Sequence, residues 1–178
     1  MIILGVDPGT ICTGYGVIKY INNELVYIMS GVINTPKTEE MPPRLKSIYD
    51  ELSKIIKKTK PDEFALETAF YGKNIQSTLK IGYARGVSML VAANHGIKVA
   101  EYAPREIKKA VVGRGSSTKE QVQFMVKTLT GVDVSKMKLD ETDAIAVAIC
   151  HALNSGKVKS KGKSWKSFAD ANPDLIID

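Results

Sequence analysis

Asp7, Glu67, Asp140 and Asp143 stand where carboxylates are awkward for folding and useful for holding cations. Asp7 ends the apolar run Ile2-Ile3-Leu4-Gly5-Val6 and leads into Pro8-Gly9-Thr10. Glu67 ends Phe64-Ala65-Leu66, where no solvent-facing pattern accounts for it. Asp140 and Asp143 open the run Ala144 to Ile149 and, at i and i+3, share one face of a helix. Gathered in a partly buried cleft, four carboxylates repel one another and lose hydration. A divalent cation relieves both penalties, and oxygen-only ligands favour Mg²⁺ or Mn²⁺ over zinc. Two such ions bridged by a shared carboxylate suit in-line attack on a phosphodiester. No Ser-His-Asp or Cys-His arrangement competes for the chemistry.

Three of the four acids also have a plainer reading. Asp-Pro-Gly is a good tight turn, and Asp in a first helical turn satisfies the helix N-terminus and its dipole. What favours chemistry is that all four occur together.

The elements that must position them follow from periodicity and punctuation. Residues 2–7, 13–20 and 25–33 read as three strands joined by hairpin-length turns, hence antiparallel neighbours. Pro42-Pro43 opens a helix with Leu45, Ile48, Leu52, Ile55 and Ile56 as its apolar stripe, and Pro61 stops it. A strand at 63–67, a polar loop through Gly72-Lys73-Asn74 and a helix from about Ser77 to Asn94 come next. His95-Gly96 closes that helix. A fifth strand spans 97–102, Pro104 starts a short helix, and Thr118 with Gln121 is spaced as a capping box for another. The last helix covers about 140–154. The expected fold is therefore α/β, a mixed five-stranded sheet flanked by helices, with Asp7 and Glu67 side by side at strand ends.

A chain of 178 residues suffices for one domain with a proper core. No apolar run approaches the ~20 residues of a membrane span, and the N-terminus lacks the basic region of a secretory signal. Cys12 and Cys150 show neither zinc spacing nor disulfide density, which suits a reducing cytoplasm. The net charge of +6 makes a polyanion a natural partner. Residues 157–178 carry five lysines and three aspartates, so the preceding part, expected as one domain over 1–156, is itself basic around an acidic site. That Gly-, Ser- and Lys-rich tail is expected to be poorly ordered.

Five segments bring a family into view. Gly5-Val6-Asp7-Pro8-Gly9-Thr10, Phe64-Ala65-Leu66-Glu67 with Phe70, Lys80 to Gly86, Val111-Val112-Gly113 and Asp140-Glu141-Thr142-Asp143-Ala144 resemble, in order, the RuvC family. These are Holliday-junction resolvases of the ribonuclease H-like superfamily. The resemblance implies a ribonuclease H-like fold, a homodimer, and Mg²⁺-dependent nicking of two opposed strands of a four-way DNA junction. It implies that Asp7, Glu67, Asp140 and Asp143 are the catalytic metal ligands and that Phe70 contacts unpaired bases. Lys108 and Lys119 match basic residues close to the scissile phosphate, and a branch-migration complex is the expected partner. The tail lies outside the resemblance.

The residues themselves support parts of this. Lys119 follows the loop Gly113-Arg114-Gly115-Ser116-Ser117 at a helix N-terminus, a place suited to phosphate, and Arg114 is a candidate backbone contact. Phe70 lies in a Gly-Lys-Asn-rich loop, where an aromatic can stack on a base. Gly82 and Gly86 put two small residues on one helix face; a dimer seam or packing within the monomer explains them equally well, and the resemblance favours the dimer. His151 reads as structural. Rival classes are an actin-like ATPase, for which the single Asp-x-Gly-Thr loop and short chain are insufficient, a junction-binding module without catalysis, and a related nuclease acting on RNA.

Overall fold

The computed structural model describes residues 1–22, 24–68 and 75–155. Strands β1 (Ile2–Asp7), β2 (Cys12–Ile21) and β3 (Glu24–Asn34) come first, then α1 (Met41–Thr59), β4 (Glu63–Glu67), α2 (Ile75–Asn94) and β5 (Lys98–Tyr102). Helices α3 (Pro104–Val112), α4 (Lys119–Thr130) and α5 (Leu139–Asn154) complete the order. The sheet runs β3-β2-β1-β4-β5. The hairpin pairs are antiparallel, and β1–β4 and β4–β5 are parallel because a helix carries the chain back each time.

Element types match the expectations, and boundaries move by a residue or two. Thr118 Oγ1 accepts from the Gln121 N–H while Gln121 Oε1 accepts from the Thr118 N–H, as the capping-box spacing requires. Lys60 ends α1 at φ 46° and Gly96 follows α2 at φ 69°, both left-handed turns that stop a helix.

Alternation of side chains across the strands divides the core in two. Leu4, Val6, Val17, Phe64 and Leu66 face α1 and α2. Ile3, Ile18 and Ala65 face α5, which α3 and α4 flank. Helix α5 is buried along almost its whole length, from Thr142 through Ala152, so its alanine-rich composition reflects contact on all sides.

Three glycines decide how close α5 comes. A Cβ on Gly5 would lie 2.3 Å from the Ala144 carbonyl oxygen, one on Gly14 1.9 Å from that of Asp140, and one on Gly16 2.7 Å from Ile145. Gly5 pairs with Gly16, and Gly14 with Asp7, across the β1–β2 ladder. Together they form a floor without side chains on which the helix backbone rests.

Candidate active site

Strand register places the first two acids. Val6 pairs with Leu66 in the parallel β1–β4 ladder, so the next residues, Asp7 and Glu67, end neighbouring strands side by side. Both follow the side-chain alternation of Gly5 and Ala65 and belong to the face that α5 covers. The glycine floor brings the first turns of α5 to the same edge. Lys138 occupies the N-cap of α5 without a side-chain cap bond, and Asp140 lies in the first turn, where its charge also suits the helix dipole.

Asp7, Glu67 and Asp143 line one open cleft of about 320 Å³, with Lys108 and Lys119 on its rim and Ile107, Val122 and Ala146 as apolar wall. Asp140 is not among the lining residues, yet its charge bears on Asp7. Burial and then the neighbouring Asp140 carboxylate push the Cys12 thiol up to about 11.

The cleft is short of positive charge. Burial, then the charges of Asp143 and Asp140, push the Asp7 carboxyl up to about 7. Burial, then the charges of Asp7 and Asp143, push Glu67 up to about 8. The two carboxyls titrate as a pair, because the charge on one raises the cost of ionising the other. Lys119 Nζ lies 2.9 Å from Asp143 Oδ2, and this bond raises the lysine.

The donors fit a hard divalent cation in kind, being carboxylate oxygens deprived of solvent and charge. Among the described residues, no three acidic, His or Cys side chains are grouped to hold an ion as they stand. Asp143 instead pairs with the Lys119 ammonium at 2.9 Å.

The other expected residues divide. Lys108 and Lys119 are in the cleft. Arg114 is exposed and not among the lining residues; its carbonyl accepts from the Ser117 hydroxyl at 2.7 Å. Phe70 lies outside the described residues, as does the 157–178 tail. His151 is buried between Tyr102, whose hydroxyl is 2.7 Å from its Nδ1, and Glu63, in keeping with a structural role. Sequence reasoning missed the glycine floor, although glycine inside a strand signals close approach of another backbone.

The family model described as crossover junction endodeoxyribonuclease RuvC matches residues 3–151. A protein of that name from Chloroherpeton thalassium is 43% identical, over 99% of this chain and 100% of its own length. One from Alkaliphilus oremlandii is 47% identical over 85% of this chain and 93% of its own. Among solved structures, T. thermophilus RuvC in complex with Holliday junction substrate superposes with a TM-score of 0.82 at 27% identity, covering 87% of this chain and 94% of that one. The fold is thus the ribonuclease H-like arrangement that the five segments implied. With the matched region spanning every element from β1 to α5, the chain belongs to the RuvC family of crossover junction endodeoxyribonucleases.

Proposed function

We propose that the cleft hydrolyses phosphodiester bonds at four-way DNA junctions, with Asp7, Glu67, Asp140 and Asp143 holding Mg²⁺ (Mn²⁺ as substitute), two ions per site. One observation carries this reading. Asp7, Glu67 and Asp143 converge on one cleft from three separate elements, and two of them have carboxyls driven up towards neutral pH by burial and then by neighbouring acidic charge. Carboxylates so placed destabilise a fold unless a cation is their purpose. When bound, the ions supply Lewis-acid activation of water and stabilisation of the departing oxyanion.

The protein's own groups supply orientation. Asp7 and Glu67, on rigid strand ends, set the floor of the site. Lys119, bonded to Asp143 at 2.9 Å, is placed to donate to a phosphate oxygen, and Asp143 would be free to hold a cation once that bond is given up. Lys108, on α3 at the cleft rim, holds the neighbouring phosphate oxygen. Phe70 stacks on a base unpaired near the branch. Arg114, on the exposed side of the α4 N-terminus, contacts backbone farther along an arm. The lysines of 157–178 add phosphate neutralisation and little shape readout.

Paired cutting follows from a homodimer. Helix α2 exposes Ile75, Leu79, Tyr83 and Leu90 along one stripe, and a Cβ on Gly82 or Gly86 would meet nothing within 4 Å. Room at those glycines beside an exposed apolar stripe supports a seam between two copies on this face. Two clefts related by a two-fold axis match the symmetry of a junction. A branch-migration complex presents the junction to the dimer.

No helix among the described residues is long and apolar enough to cross a membrane; a cytoplasmic site of action fits a DNA substrate. The test compares a synthetic four-way junction with a matched duplex, with and without Mg²⁺. Symmetric nicks on the junction in Mg²⁺ support the reading. Binding without nicking under any divalent cation would make the protein a junction-binding module.

A further inference from the structure

We propose that Arg44 is a positioning residue for the catalytic carboxylates, its guanidinium setting the turn between Asp7 and Cys12. The inference rests on the nuclease reading above. Arg44, on the first turn of α1, is 7% exposed. Its Nε donates to the Thr10 carbonyl at 2.8 Å, its NH2 group donates to the same oxygen, and Thr35 Oγ1 does so at 2.5 Å. Three donors saturate one carbonyl.

The rest of the turn is held as firmly. Thr13 Oγ1 donates to the Gly9 carbonyl at 2.6 Å and accepts from the Gly9 N–H at 3.3 Å. The Thr35 N–H donates to the Ile11 carbonyl at 2.9 Å. A Cβ on Gly9 would lie 2.2 Å from the Cys12 carbonyl oxygen, so the turn is closed on itself. Nine buried residues among those described are polar or charged, and four of them, Thr10, Thr13, Thr35 and Arg44, belong to this one turn and its fastenings.

A packing role alone does not account for the choice of arginine. None of the ion pairs among the described residues includes Arg44, so its charge is buried against neutral oxygens. An apolar side chain of that volume would stabilise a core better. What the guanidinium adds is direction: a planar fork that holds one carbonyl at one angle. The turn so held joins Asp7 to the start of β2, where Gly14, the ladder partner of Asp7, lies directly against the Asp140 carbonyl. Two carboxylates from different elements therefore take their spacing from it.

The test compares wild type, Arg44→Met and Arg44→Lys, each well below its own melting temperature. Junction affinity is measured without divalent cation, and single-turnover cleavage at saturating junction across a Mg²⁺ series. Alkylation of half-buried Cys12 by N-ethylmaleimide is followed with fully buried Cys150 as internal control. Arg44→Met should cut about 10- to 100-fold more slowly, since a misplacement near 1 Å costs that much. It should need more Mg²⁺ and expose Cys12 to faster alkylation, while junction affinity stays within about 2-fold because phosphate contacts are untouched. Arg44→Lys, keeping a donor but losing the fork, should fall between. A wild-type cleavage rate or unchanged Cys12 alkylation in Arg44→Met overturns the proposal. So does a parallel loss of affinity and cleavage, the mark of general destabilisation. A wild-type protein that binds but never cuts refutes the nuclease reading instead, and the Cys12 measurement still reports on the turn.

Discussion

Asp7 and Glu67 end adjacent parallel strands one residue past the Val6–Leu66 pair, and the charge of Asp7 raises the pKa of Glu67. Two acids in that position work against the fold that holds them. Their raised values, about 7 and about 8 against ordinary values of 3.8 and 4.5, have a definite consequence for stability.

Without divalent cation, the folded state holds these protons more tightly than the unfolded chain does. The stabilisation is complete below about pH 4 and is lost as pH rises through 7 and 8. The melting temperature contributed by this pair should therefore fall across that window in EDTA. Each unit of difference corresponds to about 1.4 kcal/mol, and the two sites titrate as a pair, so the loss is on the order of a few kcal/mol. Mg²⁺ at pH 8 should restore it. Thermal melts at pH 5 and pH 8, with and without Mg²⁺, check this; a metal-free melting temperature that rises from pH 5 to 8 contradicts it.

Asp7→Asn should separate binding from chemistry. Removing one carboxylate relieves repulsion, so the metal-free variant should melt higher at pH 8, by about 2–4 °C for each kcal/mol relieved. Junction affinity should hold, because the phosphate contacts lie on the rim, while cleavage falls by orders of magnitude. Glu67→Gln and Asp143→Asn should behave alike, and double variants should lose little more than single ones. Cleavage by Asp7→Asn at the wild-type rate in Mg²⁺ would remove Asp7 from the site.

Gly5→Ala should lower both stability and cleavage although residue 5 touches no substrate. The added Cβ meets the Ala144 carbonyl at 2.3 Å and the Ala148 nitrogen at 2.6 Å, both backbone atoms that cannot turn aside. Helix α5 must shift outward, at a cost of about 1–3 kcal/mol, and Asp140 and Asp143 shift with it. Denaturant unfolding and a cleavage assay on the same preparation test this. A stable variant with unimpaired cleavage would show that α5 does not set the site.

Gly82→Arg on α2 should leave the monomer folded, since nothing lies within 4 Å of its Cβ position, yet disrupt the seam between copies. Sedimentation should show a monomer with an unchanged melting profile at low concentration. Junctions should then be nicked singly, without the paired second cut. A variant that remains dimeric would place the seam elsewhere.

Phe70→Ala should fold as wild type and lose junction cleavage. A lost base-stacking contact costs about 1–3 kcal/mol. A large fall in melting temperature with normal activity would assign Phe70 to the core.

Much of the site was legible in one dimension because local rules governed it. Strand-ending acids at Asp7 and Glu67, the hairpins of β1 to β3, and the capping box at Thr118 and Gln121 depend on neighbours within a few residues. Tertiary packing decided the rest. Which strand lies beside β1, and therefore that Asp7 meets Glu67 and not another acid, is a matter of register between segments some sixty residues apart. The pairing of Lys119 with Asp143, the separation of Arg114 from the cleft and the seating of Asp140 on Gly14 are likewise set by long-range contact. Glycine shows the boundary most plainly. Gly5 and Gly82 are the same residue in the sequence, but one sits beneath a helix backbone that tolerates no Cβ and the other faces open space. Composition records the absence of a side chain; only the packed fold determines what that absence admits.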